Sequence, residues 1–73
     1  AAREIRRINT VHGPVAVKLA RSNGRIINLT PEYDDCKRLA LEKGLPLKKV
    51  LDDVRTAALR EVQDGDASKA APD

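Results

Sequence analysis

Apolar residues in the first thirty positions recur at the spacing of strands. Glu4 to Thr10 is β-rich, with Ile5, Ile8 and the adjoining Val11 as its apolar members, and His12-Gly13-Pro14 breaks it. Val15, Val17 and Leu19 then alternate with Ala16, Lys18 and Ala20, the period of a half-buried strand. Ser22-Asn23-Gly24-Arg25 follows. Asn-Gly between two apolar runs predicts a hairpin, because both central residues of a type I′ turn need positive φ. Arg25 to Leu29 is the third run. With a second turn at Gly13, the three runs predict an antiparallel meander.

After Leu29 the period changes to that of helices. Thr30 is suited to cap a first helix and Pro31 to open it, where a missing N–H costs nothing. Glu32, Asp34 and Asp35 place negative charge against the positive end of the helix dipole. Tyr33, Cys36, Leu39 and Ala40 share one helical face. Gly44 ends the helix, with Lys43 in its last turn. Pro46 opens a second helix, in which Leu47, Val50, Leu51, Val54, Ala57 and Ala58 follow amphipathic spacing. Residues 64–73, rich in Asp, Gly, Ser, Ala, Lys and Pro, read as a disordered tail or linker. The fold expected is α+β: one domain over 1–63, a three-stranded antiparallel meander followed by two helices on one face. Leu39, Leu47, Val50, Leu51 and Val54 would be buried against Val15, Val17, Leu19 and one face of Ile26 to Leu29. The second face or an edge of the sheet is left for another copy.

Composition narrows this picture. Hydrophobic residues make up 41% and charged residues 34% of the 73, a globular balance rather than a disordered one. There is no Phe, Trp or Met and one Tyr, so aliphatic side chains alone must fill a thin core. A domain this small buries only about 60% of the surface its unfolded chain exposes. Such domains lean on disulfides, a metal or partner subunits. One Cys and one His close neither a disulfide nor a zinc site, which leaves self-association or the remainder of a parent protein. The apolar runs are too short for a transmembrane span, and no signal peptide is visible. A lone thiol fits a reducing, cytoplasmic setting. The absence of methionine fits a piece cut from a longer protein, and equally removal of an initiator Met.

Charge is divided unevenly. Residues 1–30 hold Arg3, Arg6, Arg7, Lys18, Arg21 and Arg25 against Glu4 alone, a net +5 within a total of +3. A basic sheet suits phosphate, on a nucleotide or on nucleic acid; the same residues equally suit a solvated outer face. No aromatic lies among them, so the stacking platform of a single-strand or RNA binder is missing. Glu32, Asp35 and Cys36 are candidate metal ligands: carboxylates suit Mg²⁺ or Mn²⁺, a thiolate softer ions such as nickel or zinc. On a helix Glu32 and Cys36 share a face while Asp34 points elsewhere, and capping with a buried Cys36 explains the same residues. His12, in a turn with no partner nearby in sequence, reads as a tolerated polar residue rather than a ligand or base. The four glycines are scattered, so there is no phosphate loop. No catalytic residue emerges.

Three segments taken together resemble a known family. Thr10-Val11-His12-Gly13-Pro14-Val15-Ala16-Val17-Lys18 is similar to its T-x-x-G-x-v-x-v-K hairpin. Gly24-Arg25-Ile26-Ile27-Asn28, with Pro31-Glu32-Tyr33-Asp34-Asp35-Cys36-Lys37-Arg38-Leu39-Ala40, is similar to its G-x-v-x-N-x-x-P-E-Y-E-D-C-x-x-x-A segment. Gly44-Leu45-Pro46-Leu47-Lys48-Lys49-Val50 is similar to its G-v-P-L-k-x-V helix start. The family is the nickel insertion protein of lactate racemase maturation, and the resemblance covers roughly residues 5 to 55 in the register of its C-terminal end. His12 stands where many members carry an aromatic residue, and Asp34 replaces the commoner Glu.

The resemblance implies a nickel chelatase, a lyase in class. Full-length members place nickel into a pyridinium bisthiocarboxylate mononucleotide, giving the nickel-pincer cofactor of lactate racemase, and consume CTP with Mn²⁺ or Mg²⁺. Their C-terminal domain is associated with oligomers, a trimer or hexamer, and with nucleotide binding. This short segment is not expected to be active alone. On that view Lys18, Arg21 or Arg25 contacts a nucleotide's phosphates, and Glu32 or Asp35 holds the accompanying cation; Cys36 as a nickel ligand is a further idea. Two other readings stand beside it: a small basic nucleic-acid-binding or regulatory module, and a purely structural oligomerisation domain. No membrane partner is expected.

Overall fold

The computed structural model describes the backbone of residues 2–70 and the side chains of residues 2–63. Within them the order is β1 (Ala2–Thr10), β2 (Gly13–Ser22), β3 (Arg25–Pro31), α1 (Tyr33–Lys43) and α2 (Leu47–Ala70). β2 is central and pairs antiparallel with both neighbours. This is the α+β meander with two helices that the alternation predicts. The backbone of α2 continues past residue 63, where the sequence placed the end of the domain. The side chains of the tail expected over 64–73, and the backbone from residue 71, lie outside the described residues. Among the described residues no helix is long and apolar enough to cross a membrane.

The two turns are set by local chemistry. Asn23 at φ 54° and Gly24 at φ 78° supply the paired left-handed conformations of a type I′ turn, and Ser22 faces Arg25 across it. At the other turn the Thr10 hydroxyl donates to the Gly13 carbonyl at 2.7 Å and accepts the His12 N–H at 3.1 Å. Gly13 takes φ 118° there, a conformation that a side chain would strain.

Register decides the faces. Ile8 lies opposite Val15, Arg6 opposite Val17 and Glu4 opposite Leu19, while Leu29 meets Leu19 and Pro31 meets Val17 from β3. Those rows face the helices. A bulge breaks the β2–β3 ladder: Ala20 pairs with Asn28 but Arg21 with Ile26, leaving Ile27 as the extra residue, 60% exposed. One inserted residue resets the alternation, so Ile26 and Leu29, three apart, both pack against the core.

That core is Ile8, Val15, Val17 and Leu19 from the sheet, Cys36, Leu39 and Ala40 from α1, and Val50, Val54, Ala58 and Val62 from α2. The α2 members repeat every four residues, a single stripe laid along the sheet. Leu47 and Leu51, expected inside, flank this stripe and are only partly buried; Ala58 and Val62 complete it instead, and Ile8 of β1 joins the core opposite Val15. Tyr33, expected on the buried face of α1, is 53% exposed. Helical side chains lean toward the N-terminus, so a residue at the first helical position leans past the end of the packed surface. Gly44 closes α1 at φ 66°, its N–H donating to the Ala40 carbonyl. Pro46 stands just outside α2, and its carbonyl accepts the Val50 N–H at 3.3 Å.

Val54 is fully buried at the centre of the stripe. Val54→Ala removes two methyl groups from a core with no aromatic to refill the space, and we expect a loss of about 2 kcal/mol, read as a lower midpoint in urea unfolding with an unchanged slope.

Candidate functional site

The strand-to-helix junction differs from its local reading. Thr30 was expected to cap α1 and Pro31 to open it. Instead Thr30 pairs with Lys18 and Pro31 with Val17, and α1 starts at Tyr33 after an extended Glu32 at φ −68°, ψ 118°. The residue before a proline is pushed toward extended backbone, which keeps Thr30 in the strand. Pro31 ends an edge strand, where its missing N–H is tolerated. The Thr30 hydroxyl lies 3.5 Å from Asn28 Oδ1 and not on the helix.

Ladder and helix therefore share Glu32. Its N–H donates to the Ala16 carbonyl at 2.8 Å, and its own carbonyl accepts the Cys36 N–H at 3.2 Å. In a continuing ladder the Glu32 carbonyl would have accepted the Ala16 N–H. With that carbonyl given to the helix, Asp35 Oδ2 accepts the Ala16 N–H at 3.1 Å.

The three residues expected to ligate metal thus occupy three different settings. Cys36 is buried in the core, where burial, with the Asp35 charge adding to it, pushes the thiol pKa up and keeps it protonated. Asp35 is bound to the backbone of β2. Glu32 is partly exposed, its Oε2 3.9 Å from Lys18 Nζ. Among the described residues no group of three or more His, Cys, Asp or Glu is placed to hold a metal ion.

The three cations expected to meet phosphate are also separated. Lys18 lies on the face of the sheet away from the helices, opposite Ile5 and Thr30. Arg21 belongs to the other side, its Nε donating to Glu4 Oε1 at 3.0 Å, and Arg6 donates to Glu4 Oε2 at 3.3 Å. The Arg21 hydrogen bond, with Arg6 behind it, holds the Glu4 carboxyl below its usual range. Arg25 is exposed at the hairpin.

What joins Lys18 on the open face was missed from sequence. Arg3 lies opposite Ala20 and Arg7 opposite Ala16, so strand alternation brings Arg3, Arg7 and Lys18 to one surface around Ile5, itself 71% exposed. The small side chain of Ala20 leaves room between Arg3 and Lys18. A shallow concavity of about 560 Å³ lies there, lined among others by Arg3, Ile5, Lys18, Ala20, Asn28 and Thr30, with Arg7 further along the same face. The period-2 spacing of Arg3, Ile5 and Arg7 carried this arrangement; the pairing register was needed to add Lys18.

His12 is tied more firmly than its turn position implied. Its ring is almost fully buried and Nε2 lies 2.7 Å from Asp53 Oδ2 on α2, which Lys49 also reaches at 3.2 Å. The β1–β2 turn is thereby fastened to the helix layer. Hydrogen bonds from His12 and then Lys49 lower the Asp53 pKa.

Fold and site together define a small α+β domain with one sheet face packed under helices and the other open and basic. A family model described as nickel insertion protein matches residues 1–51, which span the sheet, α1 and the first turn of α2. Similar curated proteins include a pyridinium-3,5-bisthiocarboxylic acid mononucleotide nickel insertion protein of Thermotoga sp., 44% identical over 50 residues, covering 68% of this chain and 12% of that protein. A putative nickel insertion protein of Syntrophobacter fumaroxidans is 43% identical over 58 residues, covering 80% of this chain and 15% of the relative. Among solved structures, the apo C-terminal domain of a cyclometallase involved in the synthesis of the NPN cofactor of lactate racemase superposes with a TM-score of 0.69 at 30% identity, covering 78% of this chain and 39% of that one. The chain belongs to the nickel insertion protein family, and it spans 12 to 15% of the length of these two curated relatives.

Two measurements check this geometry. A thiol reagent at pH 8 should label Cys36 at least about a hundredfold more slowly in the folded chain than in denaturant, because labelling requires opening of the core. Asp53 and Glu4 both have folded pKa values below their ordinary ones, so the stability they contribute is complete above about pH 5 and is lost as pH falls through the lowered values. The melting temperature should drop on acidification below that point, and Asp53→Asn should make the drop shallower.

Proposed function

We propose that this chain is the C-terminal nucleotide-binding and oligomerisation portion of a CTP-dependent nickel insertase. The whole enzyme places nickel, its substrate metal, into the nickel-pincer cofactor of lactate racemase. Family membership supports the nickel chemistry. The observation that carries the nucleotide reading is the open face, where Arg3 and Lys18 border a small apolar patch, with Arg7 further along the same face and Glu32 beside Lys18. Strand cations with small neighbours suit a polyphosphate, which takes charge-assisted hydrogen bonds from several directions. The concavity lies within the ~300–1,000 Å³ usual for small-molecule sites. Ile5 and Ala20 offer apolar surface to a base or ribose, and Asn28 and Thr30 offer hydrogen-bonding groups beside them.

The residues also suit the divalent ion that accompanies a nucleotide. The Glu32 carboxylate is a hard oxygen donor, and Mg²⁺ or Mn²⁺ in such sites is held by one or two carboxylates plus phosphate and water. Glu32 would hold the ion, which screens the phosphate charge. Lys18, at 3.9 Å, is free to exchange a weak exposed ion pair for a phosphate oxygen. Arg3 and Arg7 take the roles first given to Arg21 and Arg25, and nickel transfer itself belongs to the rest of the parent protein. The sheet edges are where further copies would assemble.

Titration of the chain with CTP and Mn²⁺ tests this reading. Saturable binding is expected, weaker by about tenfold or more in Lys18→Ala, since a hydrogen bond to a charged group is worth roughly 1.5–3 kcal/mol. Arg25→Ala should bind as the parent chain does. No binding of Mn²⁺–CTP, with a steeply salt-dependent affinity for DNA or RNA instead, would make the domain a nucleic-acid module and sink the proposal.

A further inference from the structure

The Ala16 and Cys36 N–H groups draw the Glu32 carbonyl in different directions, across the ladder or along the helix axis, and it points one way at a time. If the ladder takes it, β3 lengthens by one pair and the first turn of α1 opens. If the helix takes it, the ladder stops at Pro31 and the Ala16 N–H needs another partner. The structure holds the second state, with Cys36 N 3.2 Å from the Glu32 carbonyl oxygen and Ala16 N 3.1 Å from Asp35 Oδ2. The other Asp35 oxygen, Oδ1, lies 3.9 Å from Arg38. Both carboxylate oxygens of Asp35 thus face groups of the protein itself.

We propose that Asp35 is a positioning residue for the open face. By taking the Ala16 N–H it leaves the Glu32 carbonyl in the helix, and so keeps the Glu32 carboxylate beside Lys18, where a nucleotide's divalent cation would be held. This rests on the nucleotide reading above. Ala16 lies opposite Arg7 and two residues from Lys18, but strand pairing holds those cations, so the clamp acts on the carboxylate alone. Asp35 does not touch the ligand; it decides which of two backbone arrangements Glu32 adopts.

The test compares the parent chain with Asp35→Ala and Asp35→Asn, titrated with CTP in the presence of Mn²⁺ and again with a chelator. Asp35→Ala should weaken Mn²⁺–CTP binding about tenfold and leave metal-free CTP binding unchanged, because Arg3, Arg7 and Lys18 keep their places on the sheet. Asp35→Asn should bind like the parent, since its carboxamide oxygen accepts the same N–H. Amide exchange should quicken at Ala16 in Asp35→Ala and not in Asp35→Asn. If Asp35→Ala does not fold, Asp35→Glu takes its place, its extra methylene displacing the acceptor. Equal loss with and without Mn²⁺, or equal loss in Asp35→Ala and Asp35→Asn, overturns the proposal; the latter would make Asp35 itself a ligand. Parent-like Mn²⁺ binding in Asp35→Ala overturns it while leaving the nucleotide reading intact. A parent chain that binds no CTP overturns both.

Discussion

Ala16 presents two backbone groups to a strand that stops one residue too early, and the rest of the domain is arranged around how they are satisfied. The Glu32 N–H still reaches the Ala16 carbonyl, while the Asp35 carboxylate stands in for the missing strand carbonyl. A buried or half-buried N–H left unpaired costs about as much as a hydrogen bond is worth. That requirement lets a strand turn directly into a helix. It also sets where α1 begins, which side chain enters the core first, at Cys36, and where Glu32 is left on the surface.

Everything else follows from burying one side of a thin sheet. Aliphatic residues from β1, β2, α1 and α2 form a single layer of contact, and the opposite side of the sheet keeps its cations and Ile5 in solvent. A sheet this short cannot cover both faces with two helices. The asymmetry that makes the domain small is therefore the same one that makes an open basic surface available for function. The bulge at Ile27 and the His12–Asp53 tie adjust this layer at its two ends: one restores the inward direction of Ile26, the other fastens the first turn to α2.

Much of the fold was legible because it is local. Asn23-Gly24 encodes its turn in two residues, Gly44 its helix end in one, and α2 its buried stripe in a repeat of about four. The junction is not legible locally, because Thr30-Pro31-Glu32 carries the chemistry of a helix start and of a strand end at once, and the pairing with β2 chooses between them. The role of His12 is hidden because its partner is 41 positions away. The candidate site was legible only in part. Lys18 and Glu32 come together, whereas Arg21 and Lys18, three residues apart, fall on opposite sides of the sheet.

By itself the sequence determined the order of strands and helices, the hairpin, the C-terminal end of α1 at Gly44, the aliphatic character of the core and the basic bias of the sheet. Each of these depends on residues within a turn or two of one another. Only the tertiary structure decided that Arg3 and Arg7 stand with Lys18 while Arg21 turns to the other side and Arg25 lies out at the hairpin, that Asp35 serves the backbone of β2, and that Cys36 faces inward. Those outcomes depend on the pairing register and on competition for one carbonyl. Both are set by which distant segments meet, and so no local pattern contains them.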